Sequence, residues 1–139
     1  MKVFAAIVAL SLLGMPVFVA SHSGGGSAGG IVPVKLADYV IWPLRADKLS
    51  KGVVRIQAVT LNKGDDAKPG ENSLTRIIAD GVAKDFPIPP LNKDGSTLSV
   101  WDVNCTPGRL VFVNAYADFS SGVEESVETN NAAATRVVC

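Results

Sequence analysis

Apolar and polar residues alternate through much of this chain. In Val53 to Leu61 (VVRIQAVTL), Val54, Ile56 and Ala58 fall on one side and Arg55 and Gln57 on the other. That period of two is the pattern of a strand with one buried and one wet face. From Asp38 onward no stretch repeats apolar residues at helical spacing for three turns, whereas short β-rich runs recur with turn formers between them. The expected strands are Asp38 to Trp42 (closed by Pro43), Val53 to Leu61, Leu74 to Ala79, Val82 to Phe86, Ser96 to Asp102, Arg109 to Ala117 and Ala132 to Val138. Asp80-Gly81 is the strongest hairpin signal. Leu44 to Lys51 reads as a polar connection, Asn62 to Asn72 as a loop, and Pro87, Pro89 and Pro90 as an extended stretch outside any ladder. About seven short antiparallel strands in about 100 residues predict an all-β fold, a sandwich of immunoglobulin-like type.

The N-terminus breaks this pattern. Lys2 is followed by the uncharged run Val3 to Ala20, with small residues at Ala20 and Ser21. A basic start, an apolar stretch and small residues make a secretory signal peptide over 1–21, with cleavage after Ser21, Ala20 or Ser23. The alternative is a retained anchor, but no basic cluster follows the run to stop transfer. Residues 22–37 then form a leader. Gly24 to Gly30 (GGGSAGG) lacks side chains able to pack and reads as a flexible linker. In Ile31 to Leu36, Val32, Val34 and Leu36 alternate with Pro33 and Lys35, a strand pattern that the proline restricts to a sheet edge. The remaining span, 38–139, is the domain.

Composition narrows the function. The chain has 139 residues, 13 Lys and Arg against 13 Asp and Glu, one His and two Cys. That length suits one domain, and a balanced charge argues against nucleic-acid binding. An exported chain meets an oxidising compartment, where two cysteines pair more often than they bind metal or catalyse. Should the strand after Cys105 and the one ending at Cys139 be hairpin neighbours, the two cysteines meet in a disulfide; otherwise they are free thiols.

The stretch Ala115 to Asn131 carries Asp118, Val123, Glu125, Ser126, Glu128, Asn130 and Asn131 as D-x4-V-x-E-S-x-E-x-N-N. This resembles the C-terminal signature of CARDB, the cell adhesion related domain found in bacteria. Asp38-Tyr39-Val40, Asn62-x-Gly64, Gly70, Asp80-Gly81, Leu91 to Ser96 and Trp101 match other parts of the family pattern in order. The resemblance spans about 38 to 138. It implies an immunoglobulin-like, fibronectin-like β-sandwich used as an extracellular module, of the kind found in tandem or attached to larger surface proteins. The Cys105 and Cys139 pair is not part of that signature.

Candidate chemistry is sparse. Asp118, Glu124, Glu125 and Glu128, with Asn130 and Asn131, crowd oxygens into one segment, as a calcium ion needs. Asp118, Glu125, Glu128 and Asn130 are the candidate calcium ligands, against the alternative that Asp118, Asn130 and Asn131 bond loop backbone. Asp65, Asp66 and Glu71 form a second, solvated oxygen group. No other cofactor is expected. The single His22 lies in the leader, and no nucleophile, phosphate-loop or His/Cys metal motif appears, so no enzyme is expected. In Arg109 to Ala117, Val111, Val113, Ala115 and Ala117 make one face, leaving Phe112 and Tyr116 on the other as a candidate contact patch.

Two readings follow. One is a secreted, non-catalytic module that binds a protein or polysaccharide partner at the cell surface, with no nucleic acid and no membrane after signal removal. The other is a filament subunit, a homo-polymer in which Val32, Val34 and Leu36 add a strand to a neighbouring copy.

Overall fold

A computed structural model describes residues 33–139. The signal peptide and residues 22–32 of the leader, with its Gly-rich run, His22 and Val32, lie outside the described residues. The alternation predicted from sequence produces seven strands: β1 (Tyr39–Ser50), β2 (Val53–Asn62), β3 (Ser73–Ala79), β4 (Val82–Ile88), β5 (Ser96–Asn104), β6 (Leu110–Tyr116) and β7 (Ala132–Val138). All pair antiparallel, in a three-stranded sheet of order β1-β2-β5 and a four-stranded sheet of order β4-β3-β6-β7.

The inward faces of both sheets meet in one core of small aliphatic side chains. Val54, Ile56 and Ala58 of β2 pack with Ile77 and Ala79 of β3 and Val111, Val113 and Ala115 of β6. These positions alternate along each strand, as the pleat requires. Two polar pairs are sealed inside. The Thr60 and Thr75 hydroxyls hydrogen-bond between the sheets, and the buried Tyr39 hydroxyl accepts the N–H of Leu91 at 2.7 Å.

The strand boundaries differ from expectation at two prolines. β1 does not stop at Pro43. Its register with β2 passes from Ile41 opposite Thr60 to Leu44 opposite Ala58, so Trp42 and Pro43 together face Val59 in a bulge. The Trp42–Pro43 peptide is cis. β1 then continues to Ser50, and the expected polar connection 44–51 is largely strand. Pro87 likewise lies within β4, opposite Leu74. Both strands are sheet edges, where a missing N–H breaks no ladder on the outer side.

The segment before β1 is a second correction. Pro33 to Leu36 is in no strand, and Val34 is 79% exposed. Leu36 turns its carbonyl to the N–H of Asp65 at 2.9 Å. Gly64 lies so close that a Cβ there would stand 2.4 Å from the same oxygen. Ala37 then makes a single parallel bridge with Glu125.

Cys105 follows β5 and Cys139 follows β7, and the two stand at disulfide distance with Cα atoms 6.1 Å apart. The pair joins the two sheets at the end of the sandwich where Lys48 Nζ donates to the Cys139 carbonyl at 2.8 Å.

Candidate functional site

Two regions combine the candidate residues, and they differ in what their side chains are free to do. The first is the connection between β6 and β7, which carries the acidic motif. Asp118 is buried, and its carboxylate accepts the N–H groups of Gly122 at 3.0 Å and Val123 at 3.1 Å, closing the turn on itself. Glu125 is buried too, and accepts the N–H of Tyr39 and the side-chain amide of Asn131. Ser126 N–H reaches the Ala37 carbonyl at 2.9 Å, and Asn130 Nδ2 reaches Asp38 at 2.8 Å. The motif therefore fastens the start of β1 to the far connection.

Burial pushes the Glu125 carboxyl up to about 7. The hydrogen bonds from Tyr39 and Asn131 oppose that rise, and the neighbouring Asp118 and Glu128 carboxylates add to it.

The candidate calcium ligands Asp118, Glu125, Glu128 and Asn130 are not gathered into one group. Among the described residues no three His, Cys, Asp or Glu side chains come together in a way that holds a metal ion. The reason is that Asp118 and Glu125 face main-chain and amide donors and Asn130 faces Asp38, while Glu128 is exposed. A calcium ion needs six to eight converging oxygens, and this donor set does not fit one. Glu124 pairs instead with Lys68 at 3.1 Å. In the second oxygen group, Asp66 accepts the N–H of Lys93 at 2.6 Å and Glu71 that of Lys68 at 2.8 Å. Both therefore order loop backbone.

The second region is the outer face of the four-stranded sheet. Along β6, Val111, Val113 and Ala115 point into the core while Phe112 and Tyr116 point out. Tyr116 is half-buried, with the Phe119 ring edge-on at 6.0 Å. The Arg76 guanidinium lies 3.8 Å over Phe119 and forks onto Asp85 of β4 at 2.6 and 2.7 Å. That contact holds the Asp85 carboxyl below the usual carboxylate range. This end of the face is thus self-satisfied.

The Phe112 end is not. Phe112 is 57% exposed and sits opposite Arg136 of β7. The two rim a depression of about 420 Å³ lined by Phe112, Ala134, Thr135 and Arg136. Arg136 takes part in no ion pair and no ring stack among the described residues. Sequence reasoning found Phe112 and Tyr116 but missed Arg136 and Phe119. Hairpin register between the last two strands carries the signal for Arg136, since β7 alternates outward at Ala132, Ala134 and Arg136. Phe119 lies in a loop, where no periodicity points to it.

The sequence pattern that defines CARDB matches residues 44–135. The chain belongs to the CARDB family. No curated protein matches it. Among solved structures it is similar to the crystal structure of the CARDB domain of the PF1109 protein from Pyrococcus furiosus, a complex with di-metal ions. The TM-score is 0.64 at 17% identity, covering 77% of this chain and 96% of that one. The solution NMR structure of the CARDB domain of PF1109 from the same organism gives 0.62 at 18% identity, covering 76% and 96%. At these identities the likeness concerns the CARDB fold. Of the residues 118–131 that carry the resemblance in the sequence, Glu125, Ser126 and Asn130 bond the start of β1 and Asp118 closes its own turn.

Proposed function

We propose that this CARDB domain is a secreted, non-catalytic module that binds a protein or polysaccharide partner at the cell surface through the outer face of its four-stranded sheet. The observation that carries the reading is Phe112, a large ring left 57% exposed beside an uncommitted Arg136 and an open depression. Exposed aromatic and arginine side chains gathered at a concavity are what binding surfaces use as anchors. Secretion is supported by the apolar N-terminal run and by a cysteine pair placed to bond. A non-catalytic role is supported by the buried acids, whose oxygens are engaged by donors that build the fold.

The test compares retention of the labelled mature protein on intact cells of its source with that of Phe112→Ser and of Leu98→Ser, an exposed position on the other sheet. Loss with the first substitution and full retention with the second supports the assignment. Equal retention of all three overturns it.

A further inference from the structure

Resting on that reading, we infer that the depression between β6 and β7 takes a carboxylated sugar unit of an acidic polysaccharide, with Phe112 stacking on the ring and Arg136 pairing with its carboxylate. The charge argument comes first. Arg136 is the one charged side chain lining the depression, and no carboxylate lines it. Elsewhere on the same face Arg76 is neutralised by Asp85, and on the opposite sheet Arg55 is neutralised by Asp102 at 2.7 Å. Arg136 has no such partner among the described residues. A planar guanidinium with open donors selects a two-oxygen acid over a neutral group.

Shape narrows the class. Phe112 and Arg136 are directly opposite in the antiparallel register, which sets their Cβ atoms about 5 Å apart. That span suits one pyranose ring with its carboxylate at the rim. Ala134 lines the floor with a single methyl group, and Asn114, its partner in the next pair, presents an amide on the same outward face. An aromatic platform and a cation over a shallow floor, with the amide of Asn114 beside it on the same face, fit a ring with an apolar face and polar edges. A peptide adding to β7 as a strand would instead use the outer edge of that strand. Here the paired Phe112 and Arg136 face each other across β6 and β7, and Ala134 and Thr135 are the neighbours of Arg136 along β7.

Calorimetric titration of the whole mature protein tests this with three probes: an oligomer of galacturonic acid, the same oligomer methyl-esterified, and a glutamate oligopeptide of equal charge. The acidic oligomer should bind, weaken at least tenfold on esterification, and weaken further as salt rises. Arg136→Gln and Phe112→Ala should each lose tenfold or more for it, with unchanged melting temperatures because both positions are surface ones. Equal binding of the esterified oligomer, tighter binding of the peptide, indifference to Arg136→Gln, or no binding of the acidic oligomer overturns the inference. The comparison of the first two probes decides it even if a variant misfolds. Should these probes fail while Phe112→Ser still abolishes cell retention, the ligand class falls and the binding surface stands.

Discussion

Glu125 accepts the main-chain N–H of Tyr39, so a carboxyl from the last connection of the fold holds the first residue of its first strand. The two residues lie 86 positions apart in the chain, and the contact is buried. Its strength depends on which protonation state burial permits.

The first prediction is therefore a pH dependence. Because the folded Glu125 carboxyl is raised to about 7 from the ordinary 4.5, the folded state prefers it protonated. Its contribution is fully present below about pH 4.5 and is lost as pH rises through 7, on the order of 2–3 kcal/mol across that window. Urea midpoints should fall between pH 5 and pH 8 for this reason, and Glu125→Gln should flatten the slope while still accepting from Tyr39. Parallel slopes for the two proteins would show that Glu125 titrates normally.

The cysteine pair predicts a large effect of reduction. Cys105 and Cys139 are 34 positions apart, and closing a loop of that size stabilises by about 3–4 kcal/mol in the chain-entropy treatment. Oxidised protein should carry no thiol reactive to a colorimetric reagent, and a Cys105→Ser, Cys139→Ser double variant should unfold at clearly lower denaturant. An unshifted midpoint would contradict a bond here.

Close backbone approaches make two glycines intolerant. A Cβ on Gly64 would meet the Leu36 carbonyl at 2.4 Å, and one on Gly122 would meet that of Asn72 at 2.0 Å. Gly64→Ala and Gly122→Ala should each destabilise by about 1–3 kcal/mol. Thermal melts of both at one pH are sufficient, and wild-type melting temperatures would mean that the loops yield freely.

The threonine pair between the sheets predicts non-additivity. Thr75→Val strands the buried Thr60 hydroxyl and should cost about 1–3 kcal/mol, whereas Thr60→Val with Thr75→Val removes both polar groups and should restore much of the loss. A double variant as damaged as the sum of the singles would deny coupling.

Much of the fold was legible because it rests on the period of two. The strict alternation of Val54, Ile56 and Ala58 specifies β2, and Asp80-Gly81 specifies the β3–β4 hairpin. What escaped was non-local. Pro43 signals a strand end by its missing N–H, yet an edge strand with a bulge absorbs it, and edge position is a property of the sheet. The acidic residues 118–128 were legible as oxygen donors in a row, but not the direction each turns. Asp118 and Glu125 face inward to main-chain N–H groups while Glu124 and Glu128 face solvent. Arg136 became a candidate only when register set it opposite Phe112.

The clasp at Glu125 and the bridge at Cys139 occupy opposite ends of the sandwich, and this has a mechanical meaning. Tension drawn along the chain through Pro33 arrives at Leu36 to Tyr39, where hydrogen bonds to Asp65, Ser126, Asn130 and Glu125 and the buried Tyr39 ring resist it with no covalent tie. At the other end Cys139 passes load covalently to Cys105 and so into the opposite sheet. Force applied at Pro33 would thus peel the start of β1 while the far pole stays shut. The acidity of the surroundings would set how much force that peeling takes.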